Sequence, residues 1–531
     1  MKKLFTTFIA IILTINAFAI DVWDGTASPW TQGDGTLNSP YLIETAANLA
    51  YLAQKVNEGY QAQGQAVFKG VYFLMTDNFS MSNINWTPIG NVNMNMQGYY
   101  FAGIFDGWYH NIEHLHIQSS ADVCGLFGGL GDNGIIQHLS VTDSGITSTG
   151  TGVGGIVGIT FGEAWVYQCS FTGAISVSNS GSYCGAGGIA AASAESSYIS
   201  ECSFRGSITA TNSGGFTGAA GAGGIVGIAM DSSTIFSCYN TGNITASSFM
   251  INVAAGIVAA TLQENNASVK CCYNVGTVSA STKGGIFGMI SPINPTKDET
   301  SIEVWNCYYL NTCGGNTNYG ISKTSAEMQT EEFLTLLGGL HIFVMDNGTN
   351  NGYPILSLAN VKMLNASDIT YNSATVAANI HIGNEQFVRA VLAYAEPEQI
   401  HSSEQIEIEV DIDDYVEVTL ENLNSETNYA YYLYCETADG FIVEAPYQTF
   451  QTTFDGTAEI SNSKISIYPN PTSDYIYIEN TEPQLVTIYS LDGNLIKTIE
   501  NANIIDVKDL KEGVYLINID GTIKKFLVVS L

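Results

Sequence analysis

The chain has 531 residues, 45% of them hydrophobic and only 13% charged; this excludes a disordered segment and exceeds one ordinary core, so several units or an elongated array are expected. Its 17 Lys and Arg stand against 50 Asp and Glu, a net charge of -33, and such a field repels phosphate backbones and anionic lipid, which argues against nucleic acid and membrane surfaces as partners. The wealth of Gly (54) and Tyr (29) suits short strands and turns better than helices.

Taken in chain order, the N-terminus reads as a secretion signal. Lys2 and Lys3 precede an apolar run from Leu4 to Leu13, and Ala17-Phe18-Ala19 fits a small-x-small cleavage site at Ala17 and Ala19. The run is too short for a membrane anchor, so the mature chain is expected to begin near Ile20.

The middle repeats itself. Gly155-Ile156-Val157-Gly158 recurs as Gly188-Ile189-Ala190, Gly224-Ile225-Val226-Gly227, Gly256-Ile257-Val258-Ala259 and Gly285-Ile286-Phe287-Gly288, with Gly125-Leu126-Phe127-Gly128 as an earlier copy. A cysteine follows most copies: Cys169, Cys202, Cys238, Cys272 and Cys307, spaced by 33, 36, 34 and 35 residues. Such a period fits helical repeats or β-solenoids, and the two-residue alternation in Ala174-Ile175-Ser176-Val177 and Ser207-Ile208-Thr209-Ala210 selects strands. Each repeat predicts one coil of about three short strands stacked in parallel on the next. The repeated cysteine then reads as a small inward residue, with one or two disulfides around Cys271 or Cys313 left open. A zinc site is disfavoured by the absence of any C-x-x-C.

One residue after the ladder cysteine stand Tyr239, Tyr273 and Tyr308. Their opposite parity predicts an outward aromatic ladder able to bind sugars or a protein groove, unless a later loop or the terminal cap covers it. Trp165 is read as an extension of that patch. His110, His114, His116 and His138 form the only histidine cluster, and Asp106 lies in a Phe-Asp-Gly turn. These are read as surface, stacking or structural residues rather than a metal or catalytic site.

Trp23-Asp24-Gly25, Gly33-Asp34-Gly35-Thr36, Pro40-Tyr41-Leu42-Ile43, Trp86-Thr87-Pro88-Ile89-Gly90 and Phe101-Ala102-Gly103-Ile104-Phe105-Asp106-Gly107 resemble surface proteins bearing GLUG-type repeats. That resemblance implies a capping helix over Leu49 to Val56 and a closing cap from Glu331 to Leu337 through Gly352-Tyr353-Pro354-Ile355-Leu356. The repeats also occur in a class of IgA-cleaving peptidases, but H-E-x-x-H is absent here and the activity does not carry over.

Beyond Leu358, five strands are expected: Ala374 to Ile380, Val388 to Tyr394, Val416 to Leu420, Tyr429 to Thr437 and Pro446 to Thr452. Leu423-Asn424-Ser425-Glu426-Thr427-Asn428-Tyr429 resembles the tyrosine corner of fibronectin type III domains. No Lys or Arg lies between Arg389 and Lys464, and the carboxylates there read as a solvated acidic face. After a polar linker, Tyr468-Pro469-Asn470-Pro471-Thr472, Leu491-Asp492-Gly493, Gly513-Val514-Tyr515 and Lys524-Lys525-Phe526 resemble the C-terminal sorting domain of type IX secretion cargo. The resemblance implies that Pro469, Asn470, Pro471, Gly493, Gly513, Tyr515 and Lys525 form the sorting motif. It further implies recognition by the outer-membrane translocon, cleavage in the linker by a sortase-like peptidase, and attachment to lipopolysaccharide or release.

The fold class expected is all-β, a right-handed parallel β-solenoid followed by two small antiparallel β-sandwich domains. The divisions are signal peptide 1–19, solenoid 20–358, fibronectin-like sandwich 359–454, linker 455–463 and sorting sandwich 464–531. The function expected is a secreted, surface-displayed, adhesin-like monomer binding glycan or host matrix protein, with no catalytic residue, metal or cofactor. The alternative is a β-solenoid polysaccharide lyase or glycoside hydrolase.

Overall fold

The computed structural model describes residues 20–529 apart from 216–217, 262–266, 291–301, 316–318, 339–340, 347, 403–404, 413, 455–464, 480–484 and 492. Ala17, Ala19 and the polar linker lie outside the described residues. The fold is all-β: a parallel β-solenoid of about eight turns, then small antiparallel sheets.

One coil shows the construction. It runs through Ser170–Asn179 (face I), Tyr183–Gly187 (face II), Ala190–Ser193 (face III) and Tyr198–Ser200 (face IV). Each strand pairs in parallel register with its equivalent in the next coil, Ile175 with Ile208, Ala186 with Ala222, Ala192 with Ile228 and Ile199 with Ile235. A coil therefore has four strands, not the expected three. The glycine pair is the reason. A Cβ added at Gly155, Gly188 or Gly224 would stand 2.2, 2.1 or 2.0 Å from the carbonyl oxygen of Gly188, Gly224 or Gly256. Only a residue without a side chain lets the chain fold sharply there, and the bend splits one expected strand into faces II and III.

A second corner joins face IV to face I. His138, Gln168, Glu201, Ser237, Cys271 and Asn306 all take positive φ, between 48 and 55°. Each of these left-handed residues costs on the order of 1 kcal/mol. The ladder residue that follows each corner is buried: Leu139, Cys169, Cys202, Cys238, Cys272 and Cys307. The Cys238 amide points at Cys272 Sγ, 3.3 Å away, and the Cys202 amide at Cys238 Sγ, 3.4 Å away. All ten cysteines, including Cys271 and Cys313, are buried free thiols. Two residues further on, Phe171 stacks on Phe204, whereas Asn240 donates to Asn274 Oδ1 at 2.7 Å. Each Asn also accepts from the glycine amide two residues ahead, Gly242 or Gly276, so this buried polar ladder is satisfied.

The open first coils are sealed by helix α1 (Ala46–Asn57), capped by Thr45 in a capping box with Asn48. Helices α2 (Ser325–Met328) and α3 (Glu331–Leu337) and the strand pair Phe343–Val344 with Ile355–Leu356 form a strap along face I.

A second hydrophobic core gathers the sheets of Asn360–Met363, Ser373–His381 and Tyr415–Glu421 against those of Phe387–Ala395, Ile406–Val410, Asn428–Thr437, Ile442–Glu444 and Gln448–Gln451. Ile406–Val410 is a strand that the acidic composition concealed. Its Ile408 and Val410 pack on the core while Glu407 and Glu409 face away. A third core lies under Ser466–Tyr468, Tyr475–Glu479, Leu485–Ser490, Leu495–Glu500, Ile504–Asp506, Gly513–Ile519 and Thr522–Val528.

Candidate functional site

The expected tyrosine ladder forms but is not available. Tyr239 and Tyr273 stack at 5.1 Å with planes 2° apart, and Tyr308 continues the column by strand register. Phe333 of α3 then presses onto it edge-on, 5.3 Å from Tyr308 and 6.1 Å from Tyr273, and Phe343 lies tilted against Tyr239 and Tyr273. Asn350 donates to the Tyr273 hydroxyl at 2.9 Å, and that hydroxyl donates to Pro354 O. Tyr273 is left with 0% exposure and Tyr308 with 4%. Strand parity does point these rings away from the solenoid interior, but the strap converts them into a satellite core.

An exposed aromatic surface stands instead on face IV. Its outward columns follow from register: Ile135, Trp165, Tyr198, Thr234 and Ser268 in one, Gln137, Tyr167, Ser200, Phe236, Lys270 and Trp305 in the other. Trp165 and Tyr198 pack at 4.8 Å with planes 34° apart, and they remain 45% and 38% exposed. Trp305, further along the face, is 55% exposed. The sequence reading names Trp165 but not Tyr198 or Trp305, although Trp165 and Tyr198 both stand four residues before the ladder cysteine and Trp305 two residues before it; the alignment on Cys169 and Cys202 is the signal that could have found the pair.

At its N-terminal end face IV meets the second unit, and the corner residues build a polar joint. His138 Nδ1 lies 2.9 Å from Asp106 Oδ1. A carboxylate only accepts, so Nδ1 carries the hydrogen and Nε2 faces the Asn360 amide at 3.5 Å. Asp106 also accepts from the Trp108 amide and from Gln137, and Lys362 Nζ stands 3.8 Å away and over the Trp108 ring. Burial pushes the Asp106 carboxyl up, but the His138 hydrogen bond and the nearby charges outweigh it and hold its pKa below the usual value. One corner further, the Tyr109 hydroxyl donates to Gln168 Oε1, and Gln168 Nε2 donates to Tyr167 and to Glu201 Oε2 at 2.8 and 2.7 Å. Burial raises the Glu201 pKa despite those bonds.

His381 of the second unit stacks on Tyr109 at 3.7 Å and 4°, and its pKa is lowered to about 4, chiefly by burial and then by His138. The mirror contact is His341 of the strap on Phe441 at 3.7 Å, flanked by Glu385 and Asp439. The sequence cluster of four histidines is thus divided. His138 enters the joint, while His114 meets Ser80 and His116 lies half-buried on face I. Among the described residues no three potential ligands gather around a metal position.

The C-terminal unit carries its own clasp. Asn470 donates to Lys525 O at 3.0 Å and accepts from the Leu527 amide at 2.9 Å, and the Thr472 amide donates to Leu527 O. Pro469 and Pro471 flank this asparagine, and Tyr515 stacks on Phe526 of the clasped strand. Gly493, at φ 78°, turns the hairpin between Leu485–Ser490 and Leu495–Glu500, while Gly513 opens the strand that carries Tyr515.

Residues 466–529 match the family described as secretion system C-terminal sorting domain. This is the mark of an exported protein. The chain is sent by type IX secretion to the cell surface or extracellular space and interacts with that machinery. Elsewhere it is similar to a candidate Gly-rich membrane protein of Evansella cellulosilytica, 34% identical over 29% of this chain and 17% of that one. It is also similar to halomucin of Haloquadratum walsbyi, 32% identical over 23% of this chain and 1% of the other. The chain thus spans less than a fifth of the length of either curated relative. Among solved structures, a candidate immunoglobulin A1 protease of Bacteroides ovatus is 21% identical, with 61% of this chain and 94% of that chain covered at a TM-score of 0.46.

Proposed function

We propose that the exported chain is a surface-displayed, adhesin-like protein that binds a neutral glycan through face IV of its solenoid. The exposed Trp165–Tyr198 pair carries this reading. Flat rings offer stacking surfaces for sugar C–H faces, and the neighbouring Ser200 and Thr234 hydroxyls supply hydrogen-bond partners on the same face. Host matrix protein is the second ligand class that such a surface suits. The repeats are of GLUG type and span residues 20–358. The unit at 359–454 is a fibronectin type III-like spacer, in which the Asn424 amide donates to the Tyr429 hydroxyl at 3.0 Å. Residues 1–19 are removed on export. The sorting unit at 464–531 is cut off within 455–463 and the remainder is joined to lipopolysaccharide or released.

Binding is tested by passing the purified mature chain, wild type and the double variant W165A/Y198A, over immobilised neutral glycans and matrix proteins. Retention of the wild type alone supports the proposal, whereas equal retention or none removes it. Sorting is tested by deleting residues 464–531 in the native host. Loss of the protein from the surface fraction is expected.

A further inference from the structure

We infer that the half-open cavity between the solenoid corner, the strap and the second unit is a binding site for a single neutral sugar residue. The cavity measures about 200 Å³, below the roughly 300–1,000 Å³ usual for larger ligands and suited to one ring. Its floor is a file of hydroxyls, Ser140, Ser170 and Ser203, which register places on three successive coils, with Ser140 and Ser170 Oγ 2.9 Å apart. Coils repeat about every 4.8 Å, and Ser140 and Ser170 bond to each other, so the file is a row of hydroxyls that can each also donate to or accept from a ring hydroxyl. One wall presents Gln168 and Glu201, and His138 and His381 stand among the lining groups. Leu139, Leu356 and Leu358 supply the apolar part.

The composition of this lining selects the ligand class. It contains no Lys or Arg, so a phosphate or carboxylate finds no counter-charge. The one lining carboxyl, Glu201, is half-buried and its Oε2 already accepts from Gln168 Nε2 at 2.7 Å, and a single carboxyl is a poor cage for a cation. Three serine hydroxyls, the Tyr109 hydroxyl, an amide, a carboxyl and two imidazoles beside three leucines and Cys169 match a molecule with many hydroxyls on an apolar ring. The site is separate from the Trp165–Tyr198 surface, and its occupancy does not depend on that surface.

The test is isothermal titration of the full mature chain with D-glucose, D-galactose, D-mannose and N-acetyl-D-glucosamine, each alone. Saturable binding of at least one, in the millimolar range, is expected. Ser203→Leu, which places a bulky side chain on the cavity floor, abolishes it. Glu201→Gln, nearly isosteric and able to keep its bond from Gln168, weakens it about tenfold. Val388→Ala, exposed on the second unit and outside both sites, leaves it unchanged. No saturable binding by any of the four sugars overturns the proposal. Binding undiminished in E201Q, or lost with V388A, overturns it too, because the site then lies elsewhere. Should S203L fail to fold, the E201Q titration decides alone. The face IV reading has a different failure, in which polymer retention is insensitive to W165A/Y198A.

Discussion

Two aromatic columns stand on adjoining faces of one solenoid, and they differ in what covers them. Tyr239, Tyr273 and Tyr308 on face I lie under Phe333 and Phe343 of the strap; Trp165 and Tyr198 on face IV lie under nothing within the described residues. Both columns obey the same strand alternation. Parity alone decides direction, and cover decides whether an outward ring is core or binding surface.

The sharpest way to break the contrast is to strip the cover. Phe333→Ala removes a fully buried ring, and a loss of about 3–5 kcal/mol is expected. Thermal melting measures it, and acrylamide quenching of tyrosine fluorescence should rise as the face I column becomes wet. An unchanged melt would mean that the strap is not a working part of the fold.

Next in size is the Asn ladder beneath the same face. Asn274→Ala leaves the Gly276 amide without its side-chain acceptor and takes from Asn240 Nδ2 one of its two acceptors, Gly242 O remaining, for about 1–3 kcal/mol in a dry interior. Asn240→Ala/Asn274→Ala is expected to cost less than the two singles together, read in a double-mutant cycle.

The joint between solenoid and second unit has a pH signature. His381 has a folded pKa of about 4 against an ordinary value near 6.5, lowered by burial, His138 and His110 and opposed by Asp414. A base with a depressed pKa favours the joint when neutral, so the contribution is complete above pH ~6.5 and drains away as pH falls toward 4. With solvent screening at this half-buried ring allowed for, the effect is about 1–2 kcal/mol. His381→Phe keeps a flat ring on Tyr109 and should flatten the melting temperature between pH 7 and 4.5. A slope equal to wild type would assign the dependence to other groups.

The smallest structural effect belongs to the open column. W165A/Y198A is expected to shift stability by no more than about 0.5 kcal/mol, measured by denaturant midpoint. A large destabilisation would show that these rings also serve the core and would blur the comparison.

The repeat copies made the solenoid legible before any coordinates. Glycine and cysteine recur in step because each must fit the same crowded point of every coil, as the stacked Gly155, Gly188 and Gly224 show. Four strands per coil were not legible, since the bend between faces II and III depends on how closely neighbouring coils approach. The acidic strand Ile406–Val410 was hidden because its charges lie on the outer side of an edge strand, where composition imitates a loop. The polar joint escaped notice for a different reason. His138 and Glu201 occupy the same corner of their coils and Asp106 pairs in register with Gln137, but no spacing in the chain relates them to His381 and Lys362 of the second unit.

The sequence by itself determined the architecture and the destination: the register of the coils, the inward cysteines, and the Tyr468-Pro469-Asn470-Pro471 segment of the sorting unit. These are local or strictly periodic features, set by one residue's fit to its own coil or turn. Tertiary structure alone decided which outward residues remain outward. A strap some thirty residues beyond Tyr308 and a second unit beyond that settle where water reaches, and a side chain's availability to a ligand is a property of those distant neighbours.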